Sequence, residues 1–294
     1  MSLHHKVLTV FYPVFFLFRK IAVMFGVVSP NRLRVLIYHD IPANQEADFE
    51  EQLRWLAKRW NIISPSVFED VMSGRAPLIG DNLLITFDDG LVTNRIVAEK
   101  VLNPLGIKAI FFVVSDFVKI QDPLSSRKFI AEHIIPGSKL SDIPKTWKNM
   151  QVSDLSALVE QGHTIGCHTK LHARLSNCLT ESELEDELIG SSKYISSQLG
   201  IDIKHFAYTF GDLASFSEKA LIIAKRNFQY IYSGLRGNNN KNISPLAIRR
   251  DAAAYQLSNN EYRVFNNALL GAFLEGAADF HYKNDNNVLD SWCK

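Results

Sequence analysis

The sequence is short of several things, and each absence narrows what it can be. Only three cysteines occur in 294 residues, Cys167, Cys178 and Cys293, and they form no paired framework. There is no GxGxxG fingerprint and no P-loop pattern, so the usual dinucleotide and nucleotide cradles are missing. No GxSxG occurs either, which leaves a serine-hydrolase elbow unsupported. The formal net charge is only +1, and nucleic acid therefore has no electrostatic footprint to bind. Charged residues make up 21% and hydrophobic residues 47%, a globular balance with little room for disorder. Neither an internal repeat nor a break in composition divides the chain.

No long apolar run is free of charge. Residues 7–18 are almost entirely apolar, Arg19 and Lys20 follow, and residues 21–28 are apolar again. The first run falls short of the roughly 20 residues that cross a bilayer. Read through the basic pair it would be long enough, with two costly central charges. A signal peptide would carry its charge before the apolar run, and here the charge comes after it. Aromatics, a basic pair and a second apolar run predict an uncleaved segment over residues 1–30, lying at a membrane surface or forming a hairpin-like anchor. The competing reading is a helix packed on the domain.

What is present is a regular alternation. Apolar and β-branched runs at 34–40, 83–87, 108–115, 164–167, 205–210, 228–233 and 246–250 read as strands. Amphipathic stretches at 47–60, 66–73, 93–105, 152–161, 180–199, 215–226 and 259–275 read as helices. Thr180 and Glu183 have the spacing of a capping box. Residues 117–150 are punctuated by Pro123, Pro136 and Pro144 and are long for a connection, as a lid or binding loop would be. About seven strands alternating with helices predict one α/β domain with a largely parallel sheet, open or closed, over residues 31–278. Residues 279–294, rich in Asn and Asp, read as a frayed tail.

Two clusters carry chemistry. Leu83 to Phe87 is an apolar strand that runs out into Asp88, Asp89 and Gly90. Adjacent carboxylates resist burial and need a metal, a cation or solvent. His168 and His172 follow another strand, four residues apart, a spacing that lets two imidazoles share a metal. Together they make a His-His-carboxylate set suited to zinc or a related divalent metal, with a neighbouring acid left to accept a proton.

The sequence Thr86-Phe87-Asp88-Asp89-Gly90, followed by His168-Thr169-Lys170-Leu171-His172, resembles the first two motifs of the polysaccharide deacetylases, the NodB-homology fold of carbohydrate esterase family 4. Phe206 to Gly211 resembles the third, with Thr209 where proline is usual. The resemblance spans residues 33–251. It implies an irregular (β/α) barrel with about seven mostly parallel strands. It implies a metal-dependent hydrolase that removes N-acetyl groups from an amino-sugar glycan or lipid-linked sugar. Asp88 would be the base, Asp89, His168 and His172 the ligands of a divalent metal, usually zinc, and Thr169 a brace for the histidine loop. The backbone N–H of Phe210 or of its neighbour Tyr208 would hold the oxyanion.

The chain departs from the family pattern in two further places. No L-x-H follows residue 212, and the histidine of Leu36-Ile37-Tyr38-His39 resembles the N-terminal histidine of one branch, which makes His39 the candidate acid. Ala207 stands where an arginine usually tunes the base, with Arg249 or Arg250 as candidate replacements. A deformylase or other deacylase, an amidohydrolase of a non-sugar amide, and a silent glycan-binding protein of the same fold are the alternatives.

Overall fold

Among the described residues, the apolar runs assemble into eight strands in one sheet. These are β1 (Arg32–Tyr38), β2 (Asn61–Ile62), β3 (Asp81–Phe87), β4 (Ile110–Val113), β5 (Thr164–Cys167), β6 (His205–Ala207), β7 (Tyr230–Tyr232) and β8 (Asp251–Ala252). This computed structural model describes residues 3–178, 180–240, 242–257 and 263–294. The strand order is β7-β6-β5-β4-β3-β1-β8, with β2 beside β3, and every pairing is parallel. Parallel strands covered by helices are buried on both faces, which is why they read as unbroken apolar runs. The sheet curls into a half-barrel, and on its helix-covered face Phe87 stacks on Phe111 with ring centroids 5.0 Å apart.

One segment touches both ends of the curled sheet. Ile231 N donates to Pro245 O at 2.8 Å and Ser233 N to Ile248 O at 2.8 Å, along β7. A few residues later, β8 pairs with β1. The strand expected over 246–250 is therefore a single bridge at Ile248 followed by a displaced strand at Asp251. The chain cannot pair continuously with one neighbour while it crosses from β7 to β1.

The helices follow their sequence signals. They are α1 (Leu3–Met24), α2 (Glu46–Ala57), α3 (Pro65–Met72), α4 (Val92–Val97), α5 (Ser115–Val118), α6 (Pro123–Phe129), α7 (Val152–Glu160), α8 (Glu181–Glu185), α9 (Ser191–Leu199), α10 (Glu218–Ala224), α11 (Asn267–Leu274) and α12 (Lys283–Trp292). In α2, Phe49, Leu53 and Leu56 recur at helical spacing and are buried. The capping box at α8 forms, with Glu183 N donating to Thr180 Oγ1 at 3.2 Å and Thr180 N to Glu183 Oε2 at 2.9 Å. A π-helical turn over 130–134 extends α6, and another over 186–190 joins α8 to α9.

Three expectations are corrected. The helix expected over 259–275 is only α11; residues 259–262 lie outside the described residues, and Arg263–Phe265 forms β10, antiparallel to β9 (Tyr255–Leu257). The tail is not frayed, because Lys283–Trp292 is helical and Asn286 Nδ2 donates to Arg236 O at 2.9 Å. Just before it, Asp279 grips the buried Arg34 at 2.7 Å. The two N-terminal apolar runs are one 22-residue helix, α1, long and apolar enough to cross a membrane by length and composition. It buries Leu8, Tyr12 and Ala22 against the domain.

Candidate active site

The site is built at the C-terminal ends of the strands. β1 and β3 stay in register to Tyr38↔Phe87, and Asp88 N continues the ladder by donating to Tyr38 O at 3.0 Å. The backbone then turns sharply, with φ of 75° at Asp89 and 86° at Gly90. Gly90 is needed twice over, since a Cβ there would also meet the Val113 side chain at 3.2 Å. The turn aims the two acids in different directions. Both are buried, Asp88 at 4% and Asp89 at 6% exposed, so each requires a counter-charge.

Asp88 finds an arginine. Arg250 donates to its two oxygens at 2.7 and 2.9 Å, a bidentate pair. Arg250 is itself fixed by Nε donating to Ser233 O at 2.8 Å. Burial pushes the Asp88 carboxyl up, and Arg250, with His168 and His39, outweighs it and holds the group below the usual carboxylate range. Of the two arginines proposed from sequence, Arg249 is elsewhere, paired with Asp290 at 2.7 Å.

Asp89 faces the histidines. Its Oδ1 lies 3.5 Å from His172 Nε2 and 3.7 Å from His168 Nε2. Burial opposes its charge, and His172, His39 and His168 together hold its carboxyl far below the usual range. The other ring nitrogens are committed: His168 Nδ1 donates to Ala207 O at 2.6 Å and His172 Nδ1 to His133 O at 2.9 Å. That fixes the tautomers and leaves both Nε2 lone pairs toward Asp89. Burial keeps His168 neutral, with its pKa down to about 4. For His172 burial acts the same way, but the Asp89 carboxylate outweighs it and raises the pKa. One ligand atom from each of Asp89, His168 and His172 lies within 4.8 Å of the others. Two imidazoles and a carboxylate, all buried and with the imidazoles oriented from behind, have the donor chemistry to fit a divalent cation such as zinc.

The histidine loop is strained, with φ of 64° at Thr169 and 59° at His172. Its backbone is held by Ala173 N donating to Thr169 Oγ1 at 3.2 Å. A second brace was not foreseen from sequence. Glu187 Oε2 accepts from Lys170 N at 2.9 Å and Leu171 N at 3.0 Å. The available signal was a glutamate beside Leu184 and Leu188 on the buried stripe of a helix, and Glu187 is indeed only 7% exposed.

The third motif follows β6. The Tyr208 N–H donates to Tyr232 O at 3.3 Å and is spent in the sheet, and its ring stacks on Phe216 at 4.2 Å. Phe210, at φ 62°, packs its ring on His172 at 4.9 Å; among the described residues its N–H has no protein acceptor. Thr209, in place of the usual proline, donates Oγ1 to Ala173 O and so ties this loop to the histidine loop. Gly211 lets the two backbones pass, since a Cβ there would sit 2.8 Å from Gly234 Cα.

These groups line one cleft of about 570 Å³, and His39 lines it too. The loop after β1 is fastened by Asn94 Nδ2 donating to His39 O at 2.6 Å. The long 117–150 segment forms one wall with Ile130, Ile134, Ile135 and Trp147. Trp147 Nε1 donates to Asp40 at 2.7 Å, an anchor the sequence did not reveal. The segment also supplies His133 O from its π-helical turn, so it belongs to the site as well as covering it.

The sequence model of the polysaccharide deacetylase family matches residues 77–230, more than half of the 294-residue chain. YxkH of Bacillus subtilis (strain 168), named for the same family, is 22% identical over 204 residues, covering 67% of this chain and 62% of its own length. The chain thus spans less than two thirds of that relative. Among solved structures, IcaB from Ammonifex degensii superposes with a TM-score of 0.61 at 21% identity, over 83% of this chain and 97% of that one. The Streptococcus pyogenes deacetylase PplD, in complex with acetate, gives 0.61 at 17% identity, over 79% and 97%. At these identities the structures attest the half-barrel fold. The matched family span, with the acid pair and histidine loop that it encloses, identifies the chain as a member of the polysaccharide deacetylase family.

Proposed function

We propose that the protein is a metal-dependent N-deacetylase acting on an amino-sugar glycan or a lipid-linked sugar. The observation that carries this reading is the division of labour between two adjacent buried acids: Asp89 faces two oriented imidazoles and Asp88 is gripped by Arg250. A silent glycan-binding protein has no physical need for such a pair.

In this reading Asp89, His168 and His172 hold the divalent metal. When bound, the metal supplies Lewis-acid polarisation of the amide carbonyl and acidifies water. Asp88 takes the proton of the attacking water as its oxygen bonds to the acyl carbon. A carboxylate offers about four lone-pair sites, so its two bonds to Arg250 leave room for that proton. Charge develops on the carbonyl oxygen, and the Phe210 N–H is the donor assigned to it. His39 delivers a proton to the amide nitrogen as the C–N bond breaks, releasing acetate and a free amine. PplD in complex with acetate has the same fold and holds the product this reaction would release. The exposed apolar side chains of α1, including Val10, Phe11 and Phe18, favour work at a membrane.

The test is acetate release from N-acetylglucosamine oligomers and lipid-linked N-acetyl sugars, with and without chelator. Release that stops with chelator and in Asp88→Asn is expected. Release that persists in Asp88→Asn overturns the assigned mechanism, and a purified protein that takes up no divalent metal overturns the reading. Running N-formyl sugars in the same panel separates a deformylase.

A further inference from the structure

α1 has a docked face and an open face, and the two point to different partners. On the docked face, the Tyr12 ring covers Gly271 so closely that a Cβ there would lie 2.4 Å from it. Tyr12 also meets Trp55 at 5.9 Å, and His5 meets Phe273 edge-on at 5.7 Å. Arg19, mid-way along the apolar stretch, reaches Asp81 at 3.0 Å and Glu275 at 3.5 Å. On the open face, Val10, Phe11, Val14, Leu17 and Phe18 are each half to three-quarters exposed. The helix has no acidic residue, and Lys6 and Lys20 lie on it. Lys58 and Arg59 line the adjoining open cleft, and Arg59 reaches back to Tyr12.

We propose that α1 lies flat in the headgroup region of an anionic phospholipid leaflet without crossing it, and holds the catalytic mouth at the level of that surface. The inference rests on the membrane reading above and deepens it. To cross a bilayer, α1 would have to leave Gly271 and strip Arg19 of its carboxylates. Arg19 and Lys20 would then enter hydrocarbon, where charge is strongly disfavoured. Lying flat keeps every docked contact and gives the open face an apolar medium, with Lys6, Lys20, Lys58 and Arg59 among anionic headgroups.

The fixed dock also sets the direction of the cleft. Arg19 is beside Asp81, the first residue of β3, whereas His4 and His5 share a depression with Tyr255. Tyr255 lines the catalytic cleft as well. α1 therefore runs the height of the sheet, with its N-terminal end beside the mouth. With α1 flat, the strands run along the leaflet and the mouth opens at its surface. An N-acylated sugar displayed within headgroup reach is then the substrate most readily engaged.

The full chain is sedimented with phosphatidylcholine vesicles, with and without phosphatidylglycerol, and the pellets are washed with alkaline carbonate. Binding that needs the anionic lipid and is released by carbonate is expected. The triple variant Val10→Ser, Val14→Ser, Phe18→Ser is expected to bind about 10-fold less or weaker still, with unchanged activity on a soluble substrate. Binding that resists carbonate overturns the flat arrangement and leaves the membrane reading standing. Absence of any vesicle binding overturns both. If the wild type is a dimer that ignores vesicles and the triple variant is a monomer, the open face is an interface between copies and the proposal fails.

Discussion

Asp88 and Asp89 share a backbone turn and almost nothing else. A φ of 75° at Asp89 swings its carboxylate toward His168 and His172 while Asp88 stays against Arg250. Asp88→Asn keeps the shape and removes the proposed proton acceptor; kcat is expected to fall by about 10³-fold or more with metal uptake retained. Arg250→Met leaves a buried carboxylate without its bidentate partner. A loss of about 10²-fold in kcat/KM is expected, with Arg250→Lys recovering only part, because an ammonium cannot reproduce the fork. Equal activity in the Lys variant and the wild type would show that charge alone matters. The sequence made the acids legible as a motif, but which arginine served Asp88 was open, and Arg249 and Arg250 read alike in sequence.

At the scale of elements, the site depends on turns that deviate from regular geometry. The π-helical turns at 130–134 and 186–190 present His133 O and Glu187 to the histidine loop. Glu187→Gln keeps one acceptor oxygen but loses the charge that strengthens both bonds to the loop. Zinc affinity measured by calorimetric titration is expected to drop about 10-fold or more, with little change in helix content. An unchanged affinity would reduce Glu187 to a packing residue. Gly211→Ala forces a Cβ into Gly234 at a φ of 74°, so Phe210 is expected to shift and kcat to fall while zinc affinity holds. Periodicity revealed the regular helices and the Thr180 capping box because those signals are local. It did not reveal the displacement of the last sheet strand to Asp251, since that displacement results from bridging β7 and β1.

The whole molecule carries a pH dependence away from the proposed metal site. His163 accepts from Ala109 N at 3.1 Å through Nδ1, and its Nε2 contacts Asn103 Oδ1 at 3.1 Å. Burial, with Lys108 nearby, lowers its pKa from 6.5 to about 4. The unfolded chain binds a proton between those values and the folded chain does not. Stability from this group is therefore complete above about pH 6.5 and is lost as pH falls toward 4, by on the order of 3 kcal/mol. His163→Asn retains the acceptor for Ala109 and removes the titration. Its urea-unfolding free energy is expected to fall less between pH 7 and pH 5 than that of the wild type, and parallel curves would refute the assignment. On the proposed metal-dependent reading, metal removal is a second global lever. At metal concentrations about 100 times Kd, chelation is expected to lower unfolding free energy by about 2.7 kcal/mol, seen as a drop in Tm.

The sequence by itself determined the alternation of strand and helix, the acid pair at the end of β3 and the imidazole pair after β5. Each of these is a local pattern, fixed by side-chain period or by residues a few places apart. Tertiary structure alone decided which partners those groups received. Asp88 meets Arg250 across 162 residues of chain, because the segment after β7 returns to β1. His172 is oriented by a carbonyl 39 residues away, from a segment with no regular period. α1 became a docked helix because Gly271 leaves space for Tyr12 and because Asp81 and Glu275 accept Arg19. Such contacts leave no mark in local sequence, since neither partner's identity specifies where the sheet will bring the other.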